Sequence, residues 1–284
     1  QVYNVTSIGK DAFSWCTHLK SVELPNTITS INQMAFRFCF SLESITIPNS
    51  LNSIGDFAFY GCYNLTSIHI SDLSSWFKIN FNGPNSCNPL SVAGGDLYFN
   101  DSVIENLIIP NDIELIQFGL FSRCRSIREV TAFNSVKTLA SYAFEYCPNL
   151  EIVNLGLCIE SIEDYSFGNC PMLRTINVYN NIPPHASGAF KFSYPEYMTL
   201  HIPQGTIEVY EKAEGWKDFG TIIDDLPNES GIDNISLDYA SPIEIYNTNG
   251  VCIFYGIGNY KLSPGLYIIK QGSKSKKILV KQAL

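Results

Sequence analysis

Charge is scarce in this chain, and positive charge is scarcest: 16% of the 284 residues are charged, with 18 Lys+Arg against 27 Asp+Glu and a formal net charge of −9. A protein that grips nucleic acid presents a basic face, so this balance argues against that class. No apolar run approaches the ~18 residues needed to cross a bilayer as a helix. The chain opens at Gln1 with neither a Met nor a charged-then-apolar leader. A processed or trimmed form is therefore expected, with any signal peptide out of view. Gly-rich phosphate loops are also missing, since "AGGD" at 93–96 lacks both the lysine and the spacing. No pattern places two carboxylates together; Glu163-Asp164 and Asp224-Asp225 fall in expected turn or cap regions. The four histidines, His18, His69, His185 and His201, are scattered. No cofactor or metal is expected.

Cysteine is the exception to this sparseness. There are nine, yet none stands in the C-x₂₋₄-C spacing of zinc sites. Six of them recur with a neighbouring phenylalanine: "AFSWC" at 12–16, "AFRFC" at 35–39, "AFYGC" at 58–62, then "LFSRC", "AFEYC" and "SFGNC" ending at Cys124, Cys147 and Cys170. The beat is 23 residues. Three coils, 5–27, 28–50 and 51–73, are followed by one 39-residue unit at 74–112 and then by 113–135, 136–158 and 159–181. That makes seven coils, the long one carrying 16 extra residues.

The period has a physical meaning. Each coil closes on a Leu-x-x-Val-x-Leu pattern such as "LKSVEL", "LESITI" or "LTSIHI". Alternation turns Val22 and Leu24 inward and Ser21 and Glu23 outward. Pro25, Pro48 and Pro110 stop the strand. An Ile-x-x-Ile start, as in Ile28 and Ile31, forms a second short extended stretch. Ala-Phe-x-x-Cys is expected to make a turn of helix or a 3₁₀ segment, with Phe and Cys on one face. One coil cannot bury its inner face, but stacked coils can, at roughly 4.8 Å per step. Phe13, Phe36, Phe59, Phe121, Phe144 and Phe167 should then form a buried aromatic ladder. The six cysteines should form a parallel ladder of free, buried thiols, with Cys87 and Cys158 outside it.

The pattern is that of a leucine-rich repeat, and "LTSIHI", "SIG" and Ala-Phe-x-x-Cys at this period resemble the BspA-like family of bacterial surface proteins. "DLSSWFKINFNGPNSCNPL…GGDLYFND" looks like that family's enlarged repeat, and the resemblance covers about residues 5–226. It implies a secreted or cell-surface bacterial protein, often linked to adhesion, with no catalytic residues. The fold expected is an α/β repeat: a solenoid of parallel strands with short helical turns over 1–226, followed by a small antiparallel β domain over 227–284.

After Asn181 the period decays, and 182–226 reads as a cap containing Trp216 and Phe219. From Leu226 onward six lysines oppose four carboxylates, which reverses the sign of the charge and suggests a boundary near Pro227. "SPIEIYNTNGVCIFYG" reads as a hairpin around Asn249-Gly250, and "LSPGLYIIKQGSKSKKILVK" as a second turning near Gly272. This tail resembles the C-terminal sorting domain of type IX secreted proteins, apart from Cys252, which stands where such domains carry a polar or charged residue. That resemblance implies export and outer-membrane-associated surface attachment or release.

Two outward rows form the expected functional surface. One reads Glu23, Thr46, His69, Ile108, Thr131, Asn154, Asn177, and the other Ser21, Ser44, Ser67, Asn106, Glu129, Ile152, Thr175. They are mostly small and neutral. They serve either as solvated strand residues bonded to one another or as an extended groove for a chain-like ligand. The binding candidates are His69, Asn106, Ile108 and Thr131, with Trp76 and Phe81 from the long unit. The leading function is a non-enzymatic surface binding or adhesion module, monomeric, contacting a host or matrix protein or a glycan. Two alternatives stand beside it. One is a polysaccharide-acting enzyme on a solenoid scaffold, which would need clustered Asp, Lys and Arg on rows whose only charges are Glu23 and Glu129. The other is a purely structural surface spacer.

Overall fold

A computed structural model describes residues 5–81, 88–132 and 135–226 in full. Beyond them it describes the backbone of four strands, Ile243–Asn247, Cys252–Gly256, Gly265–Gln271 and Lys274–Val280. The first part is a parallel-strand solenoid. Its main face is two sheets in chain order. One holds Ser21–Glu23, Ser44–Thr46, Ser67–Ile70 and Asp96–Phe99, ending in the short return strand Ser102–Val103. The other holds Asn106–Ile108, Glu129–Ala132, Ile152–Leu155, Thr175–Val178, Thr199–Pro203 and Thr221–Leu226. Regular neighbours pair in parallel at a 23-residue offset, Ser21 with Ser44 and Ser44 with Ser67. Two-residue strands such as Ser30–Ile31 and Ser53–Ile54 form a second row.

Alternation decides which side is core. Ile45, Ile68, Val130, Val153 and Ile176 are buried, whereas the residues between them stay half-buried or exposed. After the strand, a tight turn begins at the proline: Ile28, Leu51 and Ile113 donate their amides to Pro25, Pro48 and Pro110 at 3.0–3.1 Å.

The Ala-Phe-x-x-Cys segment is not the helical turn expected. It is a run of tight turns in which left-handed residues lie two before and two after the phenylalanine. Met34 and Phe38 both have φ 58°, and Tyr142 and Tyr146 have 63° and 56°. A non-glycine residue in that region costs ~1–3 kcal/mol. The conformation is held because it turns alternate amides toward the next coil. Met34, Phe36 and Phe38 donate to the carbonyls of Asp56, Ala58 and Tyr60 at 2.8–3.0 Å, while Ala35, Arg37 and Cys39 close local bonds three residues back. Gly61 takes a left-handed position, φ 83°, where a Cβ would meet the ring of Phe38 at 2.4 Å.

The ladders follow from this stacking. Phe13, Phe36 and Phe59 stack at 5.1 and 5.4 Å, and Phe121, Phe144 and Phe167 at 5.2 and 5.5 Å, with rings within 8° of parallel. Four ladder cysteines also donate their thiols to the phenylalanine carbonyl one coil earlier: Cys39 to Phe13 and Cys62 to Phe36 at 3.0 Å, and Cys147 to Phe121 and Cys170 to Phe144 at 3.2 Å, whereas Cys124, after the long unit, meets Ser126 Oγ at 3.4 Å. The sulfur is thus a donor in the stack as well as a space-filler. Burial raises the Cys124 and Cys147 thiols and pushes Cys170 up to about 12, which keeps them protonated. The six ladder cysteines are free thiols; Cys87 and the side chain of Cys252 lie outside the described residues. Phe13 and Cys16 depart from the expectation of a wholly buried ladder. Phe13 is 37% exposed and Cys16 is exposed, since among the described residues only the coil of Phe36 stacks on theirs.

The long unit contributes two strands to the main face, Asp96–Phe99 and Asn106–Ile108. Helices α1, Leu73–Lys78, and α2, Pro89–Ala93, stand in place of its Ala-Phe turn. Asp72 caps α1, and Asn88 caps α2 with Pro89 at its first position. Together they restore the missing contacts: Phe77 packs its ring 5.2 Å from Phe121, and the Asn88 amide donates to the carbonyls of Gly119 and Leu120.

The period does not decay at Asn181. "AFKFS" at 189–193 makes an eighth turn. Phe190 stacks 5.7 Å from Phe167, and Ser193 replaces cysteine, donating its hydroxyl to the Phe167 carbonyl. The last parallel strand of the main face, Thr221–Leu226, pairs on Thr199–Pro203. It is reached through α3, Ile207–Tyr210, and the buried rings of Trp216 and Phe219. In the tail, the four strands pair antiparallel in the order Cys252–Gly256, Ile243–Asn247, Gly265–Gln271, Lys274–Val280. This matches both expected hairpins in strand position; the turn residues Asn249, Gly250 and Gly272 lie outside the described residues.

Candidate functional site

Strand register fixes the outward row. It runs Glu23, Thr46, His69 and Tyr98 in the first sheet, then Ile108, Thr131, Asn154, Asn177, His201 and Ile223 in the second. Tyr98 thus stands beside His69, a place the 23-residue frame leaves out. The two rings are stacked, with centroids 4.7 Å apart and planes 13° from parallel. Beyond Phe99 the chain reverses through Asn100 and Asp101, both left-handed at φ 48° and 63°, the geometry of a two-residue hairpin. This places the Asp101 carboxylate 3.7 Å from His69 Nδ1. The hairpin leaves Phe99 and Val103 exposed, 38% and 42%. "DLYFNDSV" carries the signal for it: two short alternating runs around an Asn-Asp pair.

Of the expected contact residues, His69, Asn106, Ile108 and Thr131 do lie on the main face, Asn106 exposed and the others half-buried. Trp76 and Phe81 do not. Trp76 is buried on α1 with its ring 5.9 Å from Phe81. Phe81 pairs with Ile54 in the row of short strands and packs against the core. Their apolar area fills the coil that lacks an Ala-Phe turn.

Along the second sheet the polar side chains bond laterally. Asn154 donates to Glu129 at 2.7 Å and to Thr131 at 3.1 Å, and Asn177 donates to Asn154 at 2.6 Å. At the far end His201 and Asp225 meet at 2.8 Å. Glu129 therefore has an amide rather than a second carboxylate for a neighbour. The face is a sparsely charged, laterally hydrogen-bonded surface with one stacked aromatic pair at its interruption.

The turn face carries a second feature that sequence reasoning missed. Left-handed positions point aromatic side chains outward: Trp15 packs 4.4 Å from Phe38 and Tyr142 5.2 Å from Tyr165. Cations lie over these rings, Arg37 4.4 Å from the Phe38 centroid and Lys191 4.8 Å from that of Tyr165. Residues of every size occupy these positions, so no hydrophobic period marks them. No helix among the described residues is long and apolar enough to cross a membrane.

The same repeat is recognised in other proteins. The BspA type leucine-rich repeat region matches in six copies over residues 2–90 and 95–213, and the chain belongs to that family. Among solved structures it is similar to a leucine-rich cell surface protein of Faecalibacterium prausnitzii, at 24% identity and a TM-score of 0.45 over 77% of this chain and 57% of that one. A leucine-rich repeat protein of Eubacterium ventriosum matches at 18% identity and a TM-score of 0.42, over 78% and 70%. The T. pallidum leucine-rich repeat protein matches at 26% identity and 0.32, over 61% and 65%. The chain thus spans little more than half of the F. prausnitzii protein. Curated proteins give no match.

Proposed function

We propose that this is a non-enzymatic binding module of a bacterial cell surface, contacting a protein, matrix component or glycan through the main strand face where the sheet is interrupted. The observation that carries the reading is the Tyr98–Val103 hairpin. It breaks a regular face between the two sheets, stacks Tyr98 on His69 and leaves Phe99 and Val103 exposed. Departures from a repeat are where solenoids place specific contacts. Sparse charge implies an association with little electrostatic steering. The family and the cell-surface description of the F. prausnitzii protein support the location. The tail from Pro227 is proposed as a separate sorting or attachment unit, on its reversed charge and antiparallel pairing.

Glycan and matrix-protein arrays probed with three chains test this reading. The parent and a chain ended at Leu226 that keeps its melting transition should bind the same partner. Ile108→Asp should lose at least ~10-fold in affinity, equivalent to 1.4 kcal/mol, with its melting temperature little changed. Full binding by Ile108→Asp would move the site off the strand face, and loss in the shortened chain would move it to 227–284.

A further inference from the structure

Each Ala-Phe turn that is followed directly by another hands three amides to it. In the seventh coil, Tyr165, Phe167 and Asn169 donate to Gly188, Ala189 and Lys191 at 2.9–3.1 Å. The eighth turn keeps the same backbone, with Gly188 at φ 79° and Phe192 at 62°. No ninth Ala-Phe turn follows it, because the chain leaves through α3. Ala189, Lys191 and Ser193 still close their local bonds, but among the described residues the amides of Gly188, Phe190 and Phe192 meet no acceptor. Where a ninth turn would stack there is a cavity of about 420 Å³, lined by these same three residues and walled by Glu196, Glu214 and Asp218. Among the described residues Lys191 is the one cation lining it, and it is already engaged by Asp164 at 3.3 Å.

We propose that this open end of the turn stack binds a basic peptide segment. Backbone carbonyls of the peptide accept from the amides of Gly188, Phe190 and Phe192, and a lysine or arginine side chain meets Glu196, Glu214 and Asp218. The stack itself shows what these amides recognise, since wherever one Ala-Phe turn follows directly on another their counterparts hold backbone carbonyls. Three carboxylates around the cavity oppose an anionic ligand and favour a cationic one. Phe192 and Tyr194, 64% and 57% exposed at the rim, offer ring faces to the cation or its methylenes. A neutral sugar could meet the amides but would leave the carboxylate field unused. The site is distinct from the strand face, so either can fail without the other.

The test is an amide NMR titration of the full chain with three probes: an acetylated, amidated hexapeptide alternating alanine and lysine, its glutamate counterpart, and maltohexaose. The lysine peptide should shift the amides of Gly188, Phe190 and Phe192 and slow their hydrogen exchange by ~10-fold or more. The double variant Glu214→Lys, Asp218→Lys alters two exposed side chains and should weaken that binding by at least ~10-fold. The glutamate peptide should leave all three amides unmoved. Absence of shifts with the lysine peptide overturns the proposal. So does an undiminished response in the double variant, or a response to maltohexaose that equals or exceeds that to the peptide.

Discussion

Phe144→Ala is expected to destabilise the chain by about 3–5 kcal/mol, the range for emptying a large aromatic site in a packed core. Phe144 is fully buried between Phe121 at 5.2 Å and Phe167 at 5.5 Å. Its backbone is fixed from both sides, with the amide donating to Ser166 and the carbonyl accepting the Cys170 thiol. A left-handed residue flanks it at each side, Tyr142 and Tyr146, so the turn cannot readily collapse into the void. Urea unfolding of parent and variant measures the loss. A change under about 1 kcal/mol would be the signature of a surface position and would undo the register of the ladder.

Trp216→Ala should cost a similar ~3–5 kcal/mol, but the damage should be local. Trp216 is fully buried, edge-on to Phe190 at 5.6 Å and to Tyr210 at 5.8 Å, and stacked on Phe219 at 5.8 Å. Its Nε1 donates to the Pro184 carbonyl at 2.7 Å, and the variant orphans that acceptor. A solenoid couples nearest neighbours only. Thr199–Pro203 and Thr221–Leu226 should therefore lose hydrogen-exchange protection while Ser44–Thr46 keeps its own. Loss spread evenly over all coils would mean that Trp216 does more than close the end.

The ladders and strand rows were legible in the sequence because burial writes itself as period: Phe36, Cys39, Ile45 and their counterparts recur where one face must stay dry. The turn conformation was hidden. Left-handed positions hold Met34, Phe57, Arg123, Tyr142 and Asn169 alike, and the inter-coil amide bonds that hold them impose no residue type. The eighth coil was obscured by one atom, oxygen for sulfur at Ser193, although the hydroxyl makes the same bond. At the candidate site, His69, Asn106, Ile108 and Thr131 were placed by counting 23 residues. Tyr98 was missed because the long unit supplies two strands where the count allows one. Trp76 and Phe81 belong to an insertion whose aromatics are expected mostly inside with an edge left for contact; Trp76 is buried and Phe81 is partly buried against the core, because a coil without its own phenylalanine needs their bulk.

The central claim is that the Ala-Phe-x-x-Cys segments are left-handed-alternating turns whose amides bind the next such turn wherever one follows directly. Native-state hydrogen exchange at the ladder phenylalanines tests it most directly. The amides of Phe36, Phe121, Phe144 and Phe167, bonded across coils at 2.8–2.9 Å, should be as protected as those of the main strands, and Phe190 should exchange far faster. If these four exchange as readily as the amides of an isolated helical turn, or if Phe190 is protected equally in the free chain, the turns are not stacked in this way.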